Sequence, residues 1–94
     1  EHFKTYVCIE AGKYNRIDIL EWIKSIGVNL NDYKLIYYAV CNLHFDVIVW
    51  FMNNQCPYNR EECLRELDDR NQIEINNDIV IDKINRIREL FGQN

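Results

Sequence analysis

Apolar positions recur along this chain at helical spacing, interrupted by short polar breaks, and the pattern predicts helices throughout. Val7, Cys8 and Ala11 share one face of a first helix over 2–12, where the small Ala11 and Gly12 let a neighbouring helix come close. After the polar break Tyr14-Asn15, a second helix over 17–26 carries Ile19, Leu20, Ile23 and Ile26 on one stripe. Gly27 follows it as a left-handed cap. The stretch from Asn29 to Asp32 reads as a turn, and Asp32 is the expected N-cap of a third helix over 33–41, with Ile36, Ala39 and Val40 inward. A fourth helix over 45–52 is almost without polar residues, and Pro57 bars its continuation. Beyond it, a fifth helix over 60–68 turns Cys63, Leu64 and Leu67 inward. The polar stretch 69–77 reads as a loop, with a short extended piece at the alternating Ile73 and Ile75. Asp78 opens a last helix whose Val80, Ile84, Ile87 and Phe91 make one apolar stripe, with Lys83, Arg86, Arg88 and Glu89 mostly opposite.

The first two helix pairs are copies of each other. Ala39 repeats Ala11, Asp46 repeats Asp18, Val47 stands for Ile19, Trp50 repeats Trp22, Phe51 stands for Ile23 and Asn59 repeats Asn31, all at one spacing of 28 residues. A fixed period of this size is the mark of stacked copies of one supersecondary unit. It predicts that Trp22 and Trp50 pack alike, between neighbouring second helices.

Each copy runs from a small residue, Ala11 or Ala39, through a polar break into Asp, two aliphatics and a Trp, as in Asn15-Arg16-Ile17-Asp18-Ile19-Leu20-Glu21-Trp22-Ile23 and Leu43-His44-Phe45-Asp46-Val47-Ile48-Val49-Trp50-Phe51. This resembles the ankyrin repeat, and with Cys56-Pro57-Tyr58 and Cys63 it is similar to the short Cys-Pro variety common in large DNA viruses. The glycine usual between the two helices is replaced by Asn15 and Leu43. The resemblance implies an all-α, ankyrin-like solenoid of stacked antiparallel helix pairs with a C-terminal capping helix. One domain over 1–94 would hold a first repeat at about 4–31, a second at about 32–59, and a degenerate third unit with the cap over 60–94.

Composition sharpens the picture in two places. From Leu35 to Asn59 the only formal charge is Asp46, while the flanks are rich in both signs. An apolar middle unit between charged ends suits a short stack, whose ends alone meet water. The net charge is −4 and no run of Lys or Arg occurs, which argues against nucleic acid or an anionic membrane as partner. No apolar run approaches the roughly 20 residues that cross a bilayer. The chain opens at Glu1 without Met, as expected of an excerpt from a longer protein or a processed product.

Candidate chemistry is sparse. Cys8, Cys41, Cys56 and Cys63 lack a metal or redox spacing and read as reduced thiols of an intracellular protein, packed as small hydrophobes. Cys41, His44 and Asp46 contain the residue types of a nucleophile set, but they straddle a tight helix break with no oxyanion-forming turn nearby. His44 is expected to hydrogen-bond locally. Cys41, His44, Cys56 and Cys63 match no common zinc spacing. No phosphate loop, dinucleotide fingerprint or serine elbow is present. The sequence therefore predicts no catalytic residue, no metal and no cofactor.

The first helices carry residues without a packing duty. Lys4, Tyr6, Glu10, Lys34, Tyr37, Tyr38, Arg60 and Arg65 are expected on the concave side of an ankyrin-like stack, and of these Tyr6, Lys34, Tyr37, Tyr38, Arg60 and Arg65 are the expected partner-binding residues. The expected function is a non-catalytic protein-protein interaction module. The viral resemblance implies a host protein as partner and the host cytoplasm as location. A small helical nucleic-acid-binding domain, reading through a helix-turn-helix around Asn42-Leu43-His44, and a thiol-dependent enzyme are the alternatives.

Overall fold

Six helices account for most of the chain in the computed structural model, which describes residues 2–92, with side chains from Thr5 on. They are α1 (His2–Lys13), α2 (Ile17–Ser25), α3 (Lys34–Cys41), α4 (Phe45–Asn53), α5 (Arg60–Ile73) and α6 (Asp78–Leu90). No strand occurs among the described residues. The first helices lie in a row, α3 touching α1 on one side and α5 on the other, and α2, α4 and α6 pack behind α1, α3 and α5.

The helix ends explain how the chain reverses. At the end of α1 the Arg16 amide donates to the Ala11 carbonyl at 2.8 Å and the Asn15 amide to that of Gly12 at 3.2 Å. Asn15 sits at φ 58. These are the two bonds and the left-handed residue of a Schellman turn, which satisfies carbonyls that a helix end leaves unpaired. At the end of α3 the same bonds run from His44 to Ala39 at 3.2 Å and from Leu43 to Val40 at 3.0 Å, with Leu43 at φ 55. Every partner is displaced by 28 residues.

The second helices close in the same way. After α2, Val28 and Gly27 donate to Ile23 and Lys24, with Gly27 at φ 81; after α4, Cys56 and Gln55 donate to Phe51 and Met52, with Gln55 at φ 59. A Cβ built on Gly27 would meet nothing within 4 Å. Gly27→Ala should therefore cost only the left-handed backbone penalty, about 1–2 kcal/mol. The exposed Gln55, at the matching position, should gain about 1 kcal/mol on replacement by Gly. Urea unfolding of both variants checks the pair, and equal signs would contradict it.

Capping differs between units. Asn59 accepts from the Glu62 amide at 3.0 Å and Asn77 from the Val80 amide at 3.2 Å, as N-caps of α5 and α6. Asp32 accepts from the Lys34 amide at 2.9 Å, one residue ahead of the formal cap Tyr33.

The core threads all six helices. Leu20, Ile23, Ile36, Val40, Val47, Ile48, Phe51, Leu67, Ile84 and Ile87 are fully enclosed or nearly so, with Cys8, Cys56 and Cys63 among them, and no polar side chain is buried among the described residues. Gly12 is where α1 meets α4: a Cβ there would lie 3.4 Å from both Phe51 and Val47. The close approach expected from Ala11-Gly12 is thus made against the second helix of the next pair.

Among the helices, the structure corrects the sequence reading at three places. The expected loop over 69–77 begins as helix, because α5 runs on to Ile73. Arg70 holds this extra turn down, pairing with Glu66 at 3.5 Å and donating to the Cys41 carbonyl. Asp69 to Gln72 contains no Gly, Pro or β-branched residue to end the helix. The extended piece at Ile73 and Ile75 is absent; both are exposed, with no neighbouring strand to pair them. Trp22 and Trp50 also differ, at 59% and 8% exposure, since α4 packs its Trp toward α2 and no described helix lies beyond α2.

Candidate interaction surface

The face of the first-helix row turned away from α2, α4 and α6 is built around α3. Tyr37 and Tyr38 stand side by side there, their rings edge-to-face with centroids 5.6 Å apart. Lys34 is exposed one turn earlier, and Cys41 lies half-buried one turn later. On α5 the neighbours are Glu62, Glu66 and Arg70. The Tyr37 hydroxyl donates to Glu66 Oε1 at 3.4 Å, which fixes that ring between α3 and α5, while Tyr38 is 40% exposed. Rigid aromatic area of this kind loses little entropy when it is covered.

A hydrogen bond with Cys41, the nearby Cys41 thiol, burial and Glu66 push the Tyr37 phenol up to about 12. Burial raises the Cys41 thiol, with the Tyr37 hydrogen bond opposing. Glu66 and Arg70 flank them as an i,i+4 pair.

The other expected residues are spread out. Tyr6 is exposed on α1, where it borders a groove of 290 Å³ shared with Val7, Glu10, Ala11, Tyr14, Arg16 and Ile19. Arg65 is exposed on α5. Arg60 works inside the fold instead. Its Nε donates to the Phe91 carbonyl at 2.6 Å and its terminal nitrogen to that of Gly92 at 3.0 Å, clamping the end of α6 to the start of α5. The Lys4 side chain lies outside the described residues. Sequence reasoning passed over Glu62 and Glu66, although the 28-residue spacing places them on Lys34 and Tyr38 and would have found them.

The cysteines and His44 have structural partners. All four thiols are free. Burial pushes Cys63 up to about 12 and Cys56 up to about 11, and raises Cys8. Cys56 donates to the Leu30 carbonyl at 3.1 Å. His44 is not bonded locally: its Nε2 donates to the Lys13 carbonyl at 2.7 Å, tying the α3–α4 turn to the end of α1. Cys41 and His44 therefore face different helices. Among the described residues no three His, Cys, Asp or Glu side chains gather as a metal-ligand set.

The buried thiols give a pH dependence with a definite sign. A thiol whose folded pKa is raised contributes stability that is complete below its unfolded pKa and is lost as pH climbs toward the folded one. Stability should therefore fall between pH ~8.5 and ~12, and Cys63→Ala should flatten the fall in urea titrations. An unchanged slope would contradict it.

The fold is all-α, and no described helix is long and apolar enough to cross a membrane. Within α4, the helix that a helix-turn-helix reader would present, Val47, Ile48, Trp50 and Phe51 are buried, so little is left to touch base edges. Comparison with family models, with curated proteins and with solved structures returns no match.

Proposed function

We propose that the chain is an ankyrin-like stack of helix pairs acting as a non-catalytic protein-interaction module. The observation that carries the stacked arrangement is the recurrence of identical helix-end hydrogen bonds 28 residues apart at both kinds of helix end. Two further links join successive units: His44 donates to the Lys13 carbonyl, and Arg70 to the carbonyl of Cys41, the position 28 residues after Lys13. α6 closes the far end, held by Arg60 and by an ion pair of Arg88 with Asp68 at 2.7 Å.

The binding face is that of α3 with its neighbours on α5. Tyr38, Tyr37, Lys34 and Arg65 supply aromatic area and cationic donors, and Glu62 and Glu66 supply acceptors between them. The partner is a protein whose surface offers both signs of charge around an apolar spot, a host protein if the viral resemblance is the true one. The helices are ordered before binding, so docking forfeits little backbone entropy.

Two variants test this reading. Tyr38→Ala should leave stability within about 0.5 kcal/mol, as expected for an exposed position, and Tyr38→Ala with Arg65→Glu should lose a protein that the wild type captures from cell extract. Equal capture by wild type and double variant would contradict the reading. So would destabilisation by Tyr38→Ala of several kcal/mol, which would place that ring in the core.

A further inference from the structure

The 28-residue correspondence makes α1 and α2 a template for what belongs on their own outer face. Inside the chain, the second pair meets the first through three features. The Trp50 indole donates to Glu21 Oε2 at 2.7 Å and is 8% exposed. His44 donates to the carbonyl of Lys13. Leu35 and Val47 are enclosed, at 2% and 0% exposure.

Shifted back by 28, the same positions are Trp22, Arg16, Val7 and Ile19, and each is the uncovered version of its counterpart. Trp22 is 59% exposed, and its indole nitrogen has no partner among the described residues. Arg16 turns to the exposed Asp18 at 2.8 Å. Val7 and Ile19 are half-buried beside the 290 Å³ groove, whose lining is mostly apolar, and Ile26, just past the end of α2, is 55% exposed. Trp22, Val7 and Ile19 thus leave apolar area uncovered at the positions where Trp50, Leu35 and Val47 are covered.

We propose that the outer face of α1 and α2 is a docking surface for a further antiparallel helix pair of this same type. It would sit on them as they sit on α3 and α4, with a carboxylate on its second helix accepting from the Trp22 indole and a helix-end carbonyl accepting from Arg16. The occupant's chemistry is read from the interface the chain already makes: Glu21 beneath Trp50, and the Lys13 carbonyl beneath His44. This rests on the stacked arrangement proposed above, and not on the binding role of Tyr38.

The test is an in-line duplication in which a second copy of residues 4–31 is placed ahead of residue 4 in the full chain, with tryptophan replaced by 5-fluorotryptophan. Fluorine NMR in H₂O and D₂O reads the exposure of each indole, assigned by single Trp→Phe changes. In the 94-residue chain Trp22 should show the solvent isotope shift and Trp50 should not. In the duplicated chain Trp22 should lose the shift, which should move to the Trp of the added copy, and Glu→Gln at the added copy's counterpart of Glu21 should speed exchange of the Trp22 indole proton. A duplicated chain in which Trp50 stays protected and Trp22 stays exposed overturns the proposal. Loss of Trp50 protection on duplication overturns it as well, because the added pair then cannot be seated. Protection of Trp22 in the 94-residue chain that disappears on dilution assigns the face to a second copy and overturns it too. Tyr38→Ala should alter none of these readings, so a failed binding face and a failed stacking face give different results.

Discussion

Replacing Ala39 by Glu is expected to unfold the domain. Ala39 is 1% exposed in the middle of α3, the helix with neighbours on both sides, and its carbonyl accepts the His44 amide that closes the α3 turn. A carboxylate forced into this position meets apolar side chains, since no polar side chain is buried among the described residues to pair with it. Burying an unpaired charge costs several kcal/mol even after the group takes up a proton, and the added volume strains the helix contact further. A chain of this length has roughly 5–14 kcal/mol of total stability. Circular dichroism at 25 °C should show the loss of most helical signal, whereas Tyr38→Ala, one residue away, keeps it. An Ala39→Glu variant that unfolds cooperatively within 1 kcal/mol of wild type would mean that α3 is turned the other way.

Phe51→Ala should be the most destabilising truncation. Phe51 is fully enclosed, edge-to-face with Trp50 at a centroid separation of 5.5 Å, and it lies against Gly12 of α1. It therefore joins α4 to α1 of the preceding pair. Removing a buried aromatic ring costs about 3–5 kcal/mol, counting the cavity left behind, and here the loss loosens the contact between α4 and α1. Urea denaturation measures it directly; a cost below about 1 kcal/mol would place the ring outside the core. Gly12→Ala should not restore the loss in this background, although it adds a methyl beside the space.

What could be read from the sequence follows from which signals are local. Apolar periodicity located all six helices, because burying one face of a helix requires that period. The repeat of Ala11 at Ala39 and of Ile23 at Phe51 marked the enclosed positions, and Gly27 announced its positive φ. Leu43 and Gln55 did not, since neither residue type favours the left-handed region; only their correspondence with Asn15 and Gly27 reveals it. The length of α5 was misread for a related reason. Its last turn is polar, and it is held by Arg70 reaching the Cys41 carbonyl, a contact with no local signature.

The surface positions were partly legible. Lys34 and Tyr38 are exposed and Tyr37 half-buried, as the helical spacing of the buried Leu35, Ile36, Ala39 and Val40 implies. Arg60 was read as a surface residue because nothing in its neighbours shows that the carbonyls of Phe91 and Gly92 come within reach. The two Trp residues carry a similar lesson: matching positions of the 28-residue pattern differ in exposure, because the difference lies in what is stacked beyond each helix pair.

Indole hydrogen exchange tests the helix-pair correspondence most directly. The Trp50 N–H, donating to Glu21 from an enclosed site, should exchange far more slowly than that of Trp22, and Glu21→Ala should accelerate Trp50 alone. Exchange of Trp50 as fast as Trp22, or indifference of Trp50 to the loss of Glu21, would contradict the placement of α4 against α2 and with it the repeated architecture.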